Sequence, residues 1–150
     1  MDFQLKNKVA LVTGGSRGIG RAVALILADH GASVAICGRT QESLDATAAD
    51  IRALGVEAWP VQADVSRLED VERLVSDTVE AAGQIDILVN NAVTSTSARF
   101  DELTDEQFQY HINVKLMAYI RIARLVLPHM EKQGWGRIVN IGGMTARIVA

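Results

Sequence analysis

Short runs of valine, isoleucine, leucine and alanine alternate along this chain with longer segments in which apolar residues return at helical spacing. The runs at 8–13, 33–37, 56–62, 85–90 and 137–141 are apolar at nearly every position, the pattern of strands covered on both faces. The intervening segments 17–30, 41–54, 67–82 and 105–133 carry the 3.6-residue period and read as helices. Strand and helix in regular alternation predict βαβ units and a parallel sheet, with no internal repeat or low-complexity tract. Punctuation agrees with the periods. Gly31, Gly55, Gly83 and Gly134 stand where the four helical patterns stop, and Ser66 with Glu69, and Thr104 with Gln107, have capping-box spacing.

The last helical segment departs from the amphipathic pattern. Phe108, Ile112, Leu116, Tyr119, Ile120, Ile122, Ala123, Leu125, Val126, Leu127 and Met130 cover more than one face of a helix spanning 105–133. One stripe serves the sheet. A second apolar face predicts either subunit association through this helix or an unusually wide core face.

Length and charge narrow the function classes. The 150 residues, 49% hydrophobic, suffice for one domain with a real core, and a net charge of −3 leaves no broad basic field for nucleic acid or anionic lipid. No apolar stretch reaches the roughly 18 residues of a membrane span, and the first residues lack the apolar core of a signal peptide. The lone Cys37 allows neither a disulfide framework nor a cysteine metal site, which fits a soluble protein in a reducing cytoplasm. His30, His111 and His129 are scattered without metal-ligand spacing and read as structural or exposed.

Chemistry concentrates after the first strand, in Thr13-Gly14-Gly15-Ser16-Arg17-Gly18-Ile19-Gly20, which leads directly into a helical pattern. Glycines at 14, 18 and 20 permit positive φ and let backbone N–H groups approach a pyrophosphate at the positive end of the following helix. The spacing is G-x-x-x-G-x-G, not the commoner G-x-G-x-x-G, and a purely structural tight turn is the competing explanation. About twenty residues on, where a site for NAD(H) places a carboxylate against the ribose hydroxyls, the run is Ile36-Cys37-Gly38-Arg39-Thr40. Arg39 and Arg17 suit a 2′-phosphate, so NADP(H) is preferred over NAD(H), unless Arg39 is simply solvated. Thr94-Ser95-Thr96-Ser97 follows the fourth strand, either lining a substrate pocket or forming a polar loop.

These residues resemble the short-chain dehydrogenases/reductases over the whole chain. The turn from Thr13 to Gly20, Asp64-Val65 after the third strand, Asn90-Asn91-Ala92 after the fourth, and Asn113 followed by Gly136-Arg137-Ile138-Val139-Asn140-Ile141 match in order and spacing. The resemblance implies a Rossmann-like α/β fold, a doubly wound parallel sheet in the order 3-2-1-4-5 with helices on both faces. It implies a cofactor set of Gly14, Ser16, Arg17, Gly18, Ile19, Gly20, Arg39, Asp64, Val65, Asn90, Asn91 and Ala92. Asp64 and Val65 would flank the adenine, Asn90 to Ala92 would pass beneath the cofactor, and Ile19 would pack near the nicotinamide. It also implies reduction of a carbonyl or oxidation of a secondary alcohol, and a homo-oligomer built on the long helix.

The resemblance is incomplete at the catalytic group. Asn113 stands at the family's catalytic asparagine, where it orders a water, or else it is a side chain that bends the helix. The family's serine position is Gly143, with Thr145 as a substitute hydroxyl, and Val93 replaces a glycine after Asn-Asn-Ala. The Tyr-x-x-x-Lys pair does not occur: neither Tyr110 nor Tyr119 has a lysine four residues on, and Ala150 precedes the family's segment for it. The expectation is therefore one NADP-binding domain over 1–150, incomplete at its C-terminal end, whose fifth strand is an unprotected edge, so that the chain is either a fragment of a longer product or has that edge covered by another subunit. A nucleotide-binding sensor or assembly module without turnover is the rival to an oxidoreductase.

Overall fold

Five apolar runs form one parallel sheet in the computed structural model, which describes residues 3–94 and 99–143. The strands are β1 (Val9–Thr13), β2 (Ser33–Gly38), β3 (Ala58–Gln62), β4 (Ile87–Asn90) and β5 (Arg137–Asn140), in the order β3-β2-β1-β4-β5. Parallel neighbours need crossovers, and helices α1 (Gly18–Asp29), α2 (Gln41–Ala53), α3 (Leu68–Ala82), α4 (Asp105–Ile112) and α5 (Ala118–Gln133) supply them. All elements begin and end within two residues of their predicted bounds, save at the break in the last helix. Register places Val12 beside Ile36 on one side and Val89 on the other, so β1 is the centre of the sheet.

Alternation along β1 divides the core. Ala10 and Val12 face Ala24, Ala28, Leu44 and Ile51 of α1 and α2. Leu11 faces the other layer, with Leu74 of α3 and Ile122 and Val126 of α5. Each of these fully buried leucines and isoleucines stabilises the fold by about 1.5–3 kcal/mol. The strand order turns back at β1, because the chain leaves β1 toward β2 and later returns to β4 on its other side. Loops leaving the carboxyl ends of β1 and β4 therefore diverge and open a crevice.

Three expectations change. The 105–133 helix is not continuous: a π turn at Asn113–Met117 separates α4 from α5, with Ala118 N donating to Asn113 O. Val114 in that turn and Ala118, Ile122, Val126 and Met130 in α5 lie at a strict spacing of four along the buried side. Ile112, Leu116, Ile120 and Leu127 remain exposed as a second stripe. Secondly, β5, the edge strand that was expected, is exposed at all four positions instead of covered on both faces, because no described helix packs closely on it as helices pack on the inner strands. Thirdly, the Ser66–Glu69 capping box does not form, although the Thr104–Gln107 box does.

The reason for that failure is a helix start one residue later. Arg67 occupies the N-cap of α3, which makes Asp70 the third helical residue in place of Glu69. Asp70 Oδ2 then accepts the Asp64 N–H at 2.8 Å, and Asp64 Oδ1 accepts the Ser66 N–H at 2.9 Å. The bond from the Asp64 backbone holds the Asp70 carboxyl below its usual range; burial opposes this, and Arg73 at 3.2 Å adds to it. A lowered native pKa means stability that is full above the ordinary aspartate value and lost as pH falls through the lowered one. Asp70→Ala is therefore expected to cost about 1 kcal/mol at neutral pH. Denaturant unfolding should show that deficit shrinking below about pH 3.9, toward zero beneath the native pKa; a constant deficit would refute the assignment.

Candidate functional site

Thr13, the last residue of β1, is 1% exposed and bonds across to the end of β4. Its Oγ1 accepts the N–H groups of Asn91 and Ala92 at 2.9 and 3.0 Å. Asn91 Nδ2 returns bonds to the carbonyls of Thr13 and Gly14 at 3.0 and 3.3 Å. The glycine turn is thus fastened to the Asn90-Asn91-Ala92 segment.

Within the turn the glycines have different tasks. Gly14 and Gly18 adopt φ of +64° and +52°, which disfavours any side chain, and nothing lies within 4 Å of a Cβ built on Gly18. Gly20, expected to need positive φ, does not; a Cβ there would collide with Gly14 O and Asn91 Nδ2. Its requirement is close approach of helix to turn. The N-cap of α1, Arg17, makes no side-chain cap bond, and the first turn holds no acidic residue. The free N–H groups and positive dipole end of α1 remain available to an anion.

A cavity of about 710 Å³ lies over this turn. Gly14, Ser16, Arg17, Gly18, Ile19, Arg39, Asp64, Val65, Asn91 and Ala92 line it, joined by Gly142 and Gly143. Three of the candidates do not. Gly20 packs beneath the turn, and buried Asn90 donates from Nδ2 to Asn140 Oδ1 at 2.9 Å. Asn113 opens the π turn with its Oδ1 accepting from Gln109 Nε2 at 3.1 Å. Thr94 lines the cavity and bonds His111 Nδ1 at 2.5 Å, whereas Ser95, Thr96, Ser97 and Thr145 lie outside the described residues.

Thr40, Ser43, Tyr110 and Lys115 also line the cavity and were not among the expected site residues; the last two bridge separate elements there. Tyr110 Oη accepts from Arg39 Nη1 at 3.1 Å. Lys115 Nζ donates to Tyr119 Oη at 3.0 Å and reaches Ile141 O at 3.4 Å. Tyr119 in turn donates to Ile141 O at 3.1 Å, with Ala92 O at 3.5 Å. Lysine precedes tyrosine by four here, the reverse of the sought order, and that spacing was the available signal. Among the described lining residues the charges are Arg17, Arg39 and Lys115 against Asp64, a balance that favours an anion.

Cys37 also borders the cavity but is fully buried; burial pushes its thiol up to about 12, against a smaller opposing effect of the Gly14 backbone. It should resist maleimide in the native protein and react on unfolding; rapid native labelling would contradict the packing. Gly20→Ala should destabilise the protein by about 1–3 kcal/mol in denaturant melts, because backbone cannot yield as a side chain can. An unchanged midpoint would show that the turn has slack.

The fold and its crevice have counterparts. A family model described as short chain dehydrogenase matches residues 8–149. YvrD, an uncharacterized oxidoreductase of Bacillus subtilis, is 37% identical over 141 residues, covering 94% of this chain and 53% of that protein. L-Sorbose reductase from Gluconobacter frateurii, solved with NADPH and L-sorbose, superposes with a TM-score of 0.94 at 34% identity, covering 98% of this chain and 56% of the other. An NAD+-bound xylitol dehydrogenase gives 0.89 at 33% identity, with 95% and 55% covered. The chain spans about half the length of the curated relatives it matches. A match that runs from the residue before β1 to position 149, on the same parallel sheet, places this chain in the short-chain dehydrogenase family.

Proposed function

We propose that this chain binds NADP(H) over the glycine turn, in preference to NAD(H), as the cofactor part of an oxidoreductase acting on a carbonyl or secondary alcohol. The observation that carries the cofactor choice is Arg39, a cation on the cavity wall at the end of β2, where a site for the unphosphorylated dinucleotide would hold a carboxylate. The residues fit such a ligand. Gly18 leaves open space above an uncapped helix start, and the cavity volume lies in the range of small-molecule sites.

In this reading the backbone of Gly14, Ser16, Gly18 and Ile19 cradles the pyrophosphate, with Gly20 holding the helix close behind it. Arg17 and Arg39 neutralise the 2′-phosphate through charge-assisted hydrogen bonds. Asp64 and Val65 border the adenine, Asn91 and Ala92 support the cofactor from β4, and Asn90 keeps that segment in register. Asn113 opens the π turn from which Val114 and Lys115 reach the cavity. When bound, the nicotinamide supplies or accepts hydride.

A second reading, a binding module without turnover, is favoured by Gly143, which lines the cavity without a hydroxyl at the family's serine position. The exposed stripe of Ile112, Leu116, Ile120 and Leu127 supports a homo-oligomer, and no described helix is long and apolar enough to cross a membrane. The single buried thiol fits a cytoplasmic setting.

Nicotinamide fluorescence on titrating NADPH against NADH tests the cofactor, and loss of reduced-nicotinamide absorbance with a carbonyl panel tests turnover. Binding without turnover would favour the module. Arg39→Asp should weaken NADPH about 10- to 100-fold, the loss of one charge-assisted contact, and NADH much less. Equal losses would show that Arg39 does not read the phosphate.

A further inference from the structure

Arg39 is restrained at both its backbone and its tip. Gln62 Nε2, from β3, donates to its carbonyl at 2.9 Å, and its own Nη1 donates to Tyr110 Oη at 3.1 Å. Tyr110 reaches the cavity from α4, far from β2 in sequence, and its ring packs against the core layer that contains Val114 and Ala118. The ring is therefore anchored while the phenol oxygen remains at the cavity. Among the described residues Arg39 forms no ion pair, so the phenol meets no carboxylate competing for that guanidinium. A neutral acceptor takes one of the five N–H groups and leaves the positive charge and the other donors unspent. A long arginine side chain otherwise samples many rotamers, and a partner that holds it in the binding position lowers the ordering cost of the ligand that uses it.

We propose that Tyr110 is a positioning residue for cofactor selection, holding the Arg39 guanidinium across the cavity for a phosphate monoester. The inference rests on the NADP(H) reading above. It assigns selectivity to a bond between the β2 end and α4, and not to the arginine alone. A ligand with a ribose hydroxyl in place of the phosphate gains little from that placement, so the effect is confined to the phosphorylated cofactor.

The experiment titrates the full chain, as wild type, Tyr110→Phe, Arg39→Ala and the double variant, with NADPH and NADH by nicotinamide fluorescence. Phenylalanine keeps the packed ring and removes only the acceptor. Tyr110→Phe is expected to raise the Kd for NADPH about fivefold, the equivalent of one modest hydrogen bond. NADH should change less than about twofold, and in the Arg39→Ala background the tyrosine change should have no further effect. Parallel losses for both cofactors, no loss for either, or an undiminished loss when Arg39 is absent would overturn the role of Tyr110. An unchanged NADPH-to-NADH ratio in Arg39→Ala overturns the underlying cofactor reading, and Tyr110's role with it. A raised NADPH-to-NADH Kd ratio there beside an unchanged ratio in Tyr110→Phe removes only the positioning role.

Discussion

Thr13 and Asn91 exchange hydrogen bonds in both directions across the ends of β1 and β4, and the crevice owes its shape to that exchange. A parallel sheet whose order turns back at β1 leaves two diverging loops with unpaired backbone groups at their roots. Buried polar groups without partners are costly, so the roots must be satisfied locally. Thr13 Oγ1 accepts two N–H groups, while the Asn91 amide reaches two carbonyls, one of them inside the glycine turn. Once those bonds form, the turn has a fixed height above the sheet. The absence of a side chain at Gly20 then lets α1 seat against it, because the space that a Cβ would need is already held by Gly14 O and Asn91 Nδ2.

The same economy governs the opposite wall. The π turn lets one residue more enter a helical turn, and such turns occur often at functional sites. Here it permits the buried stripe through Val114, Ala118 and Ile122 to stay aligned on the sheet while Tyr110 and Lys115 reach the cavity. The wall is therefore built from a helix that satisfies the core and the site with neighbouring positions.

Features specified by near neighbours could be read from the sequence. The strand and helix runs, the helix-stopping glycines at positive φ and the Thr104–Gln107 box all depend on residues within a few positions of each other. Ser66 and Glu69 show how narrow that margin is, since a helix start displaced by one residue handed the task to Asp64 and Asp70. The break at Asn113 was legible only as the alternative of a helix-bending side chain, and its form was not, because a π turn adds a residue to the helix without requiring a particular residue type. Tyr110 stayed hidden for another reason: its partner Arg39 lies 71 residues away and meets it only when β2 and α4 face one cavity. Gly20 was expected to need a positive φ that it does not adopt; its close approach to Asn91 is a tertiary fact.

The contacts of Tyr119 have a mechanical consequence. Its single hydroxyl proton is placed between Ile141 O, at the end of β5, and Ala92 O, beyond β4, with the Lys115 ammonium behind it. A hydroxyl can serve only one of those carbonyls fully at a time. That one donor therefore pins together the segments leaving the neighbouring strands β4 and β5, two adjacent leaves on the same side of the cavity.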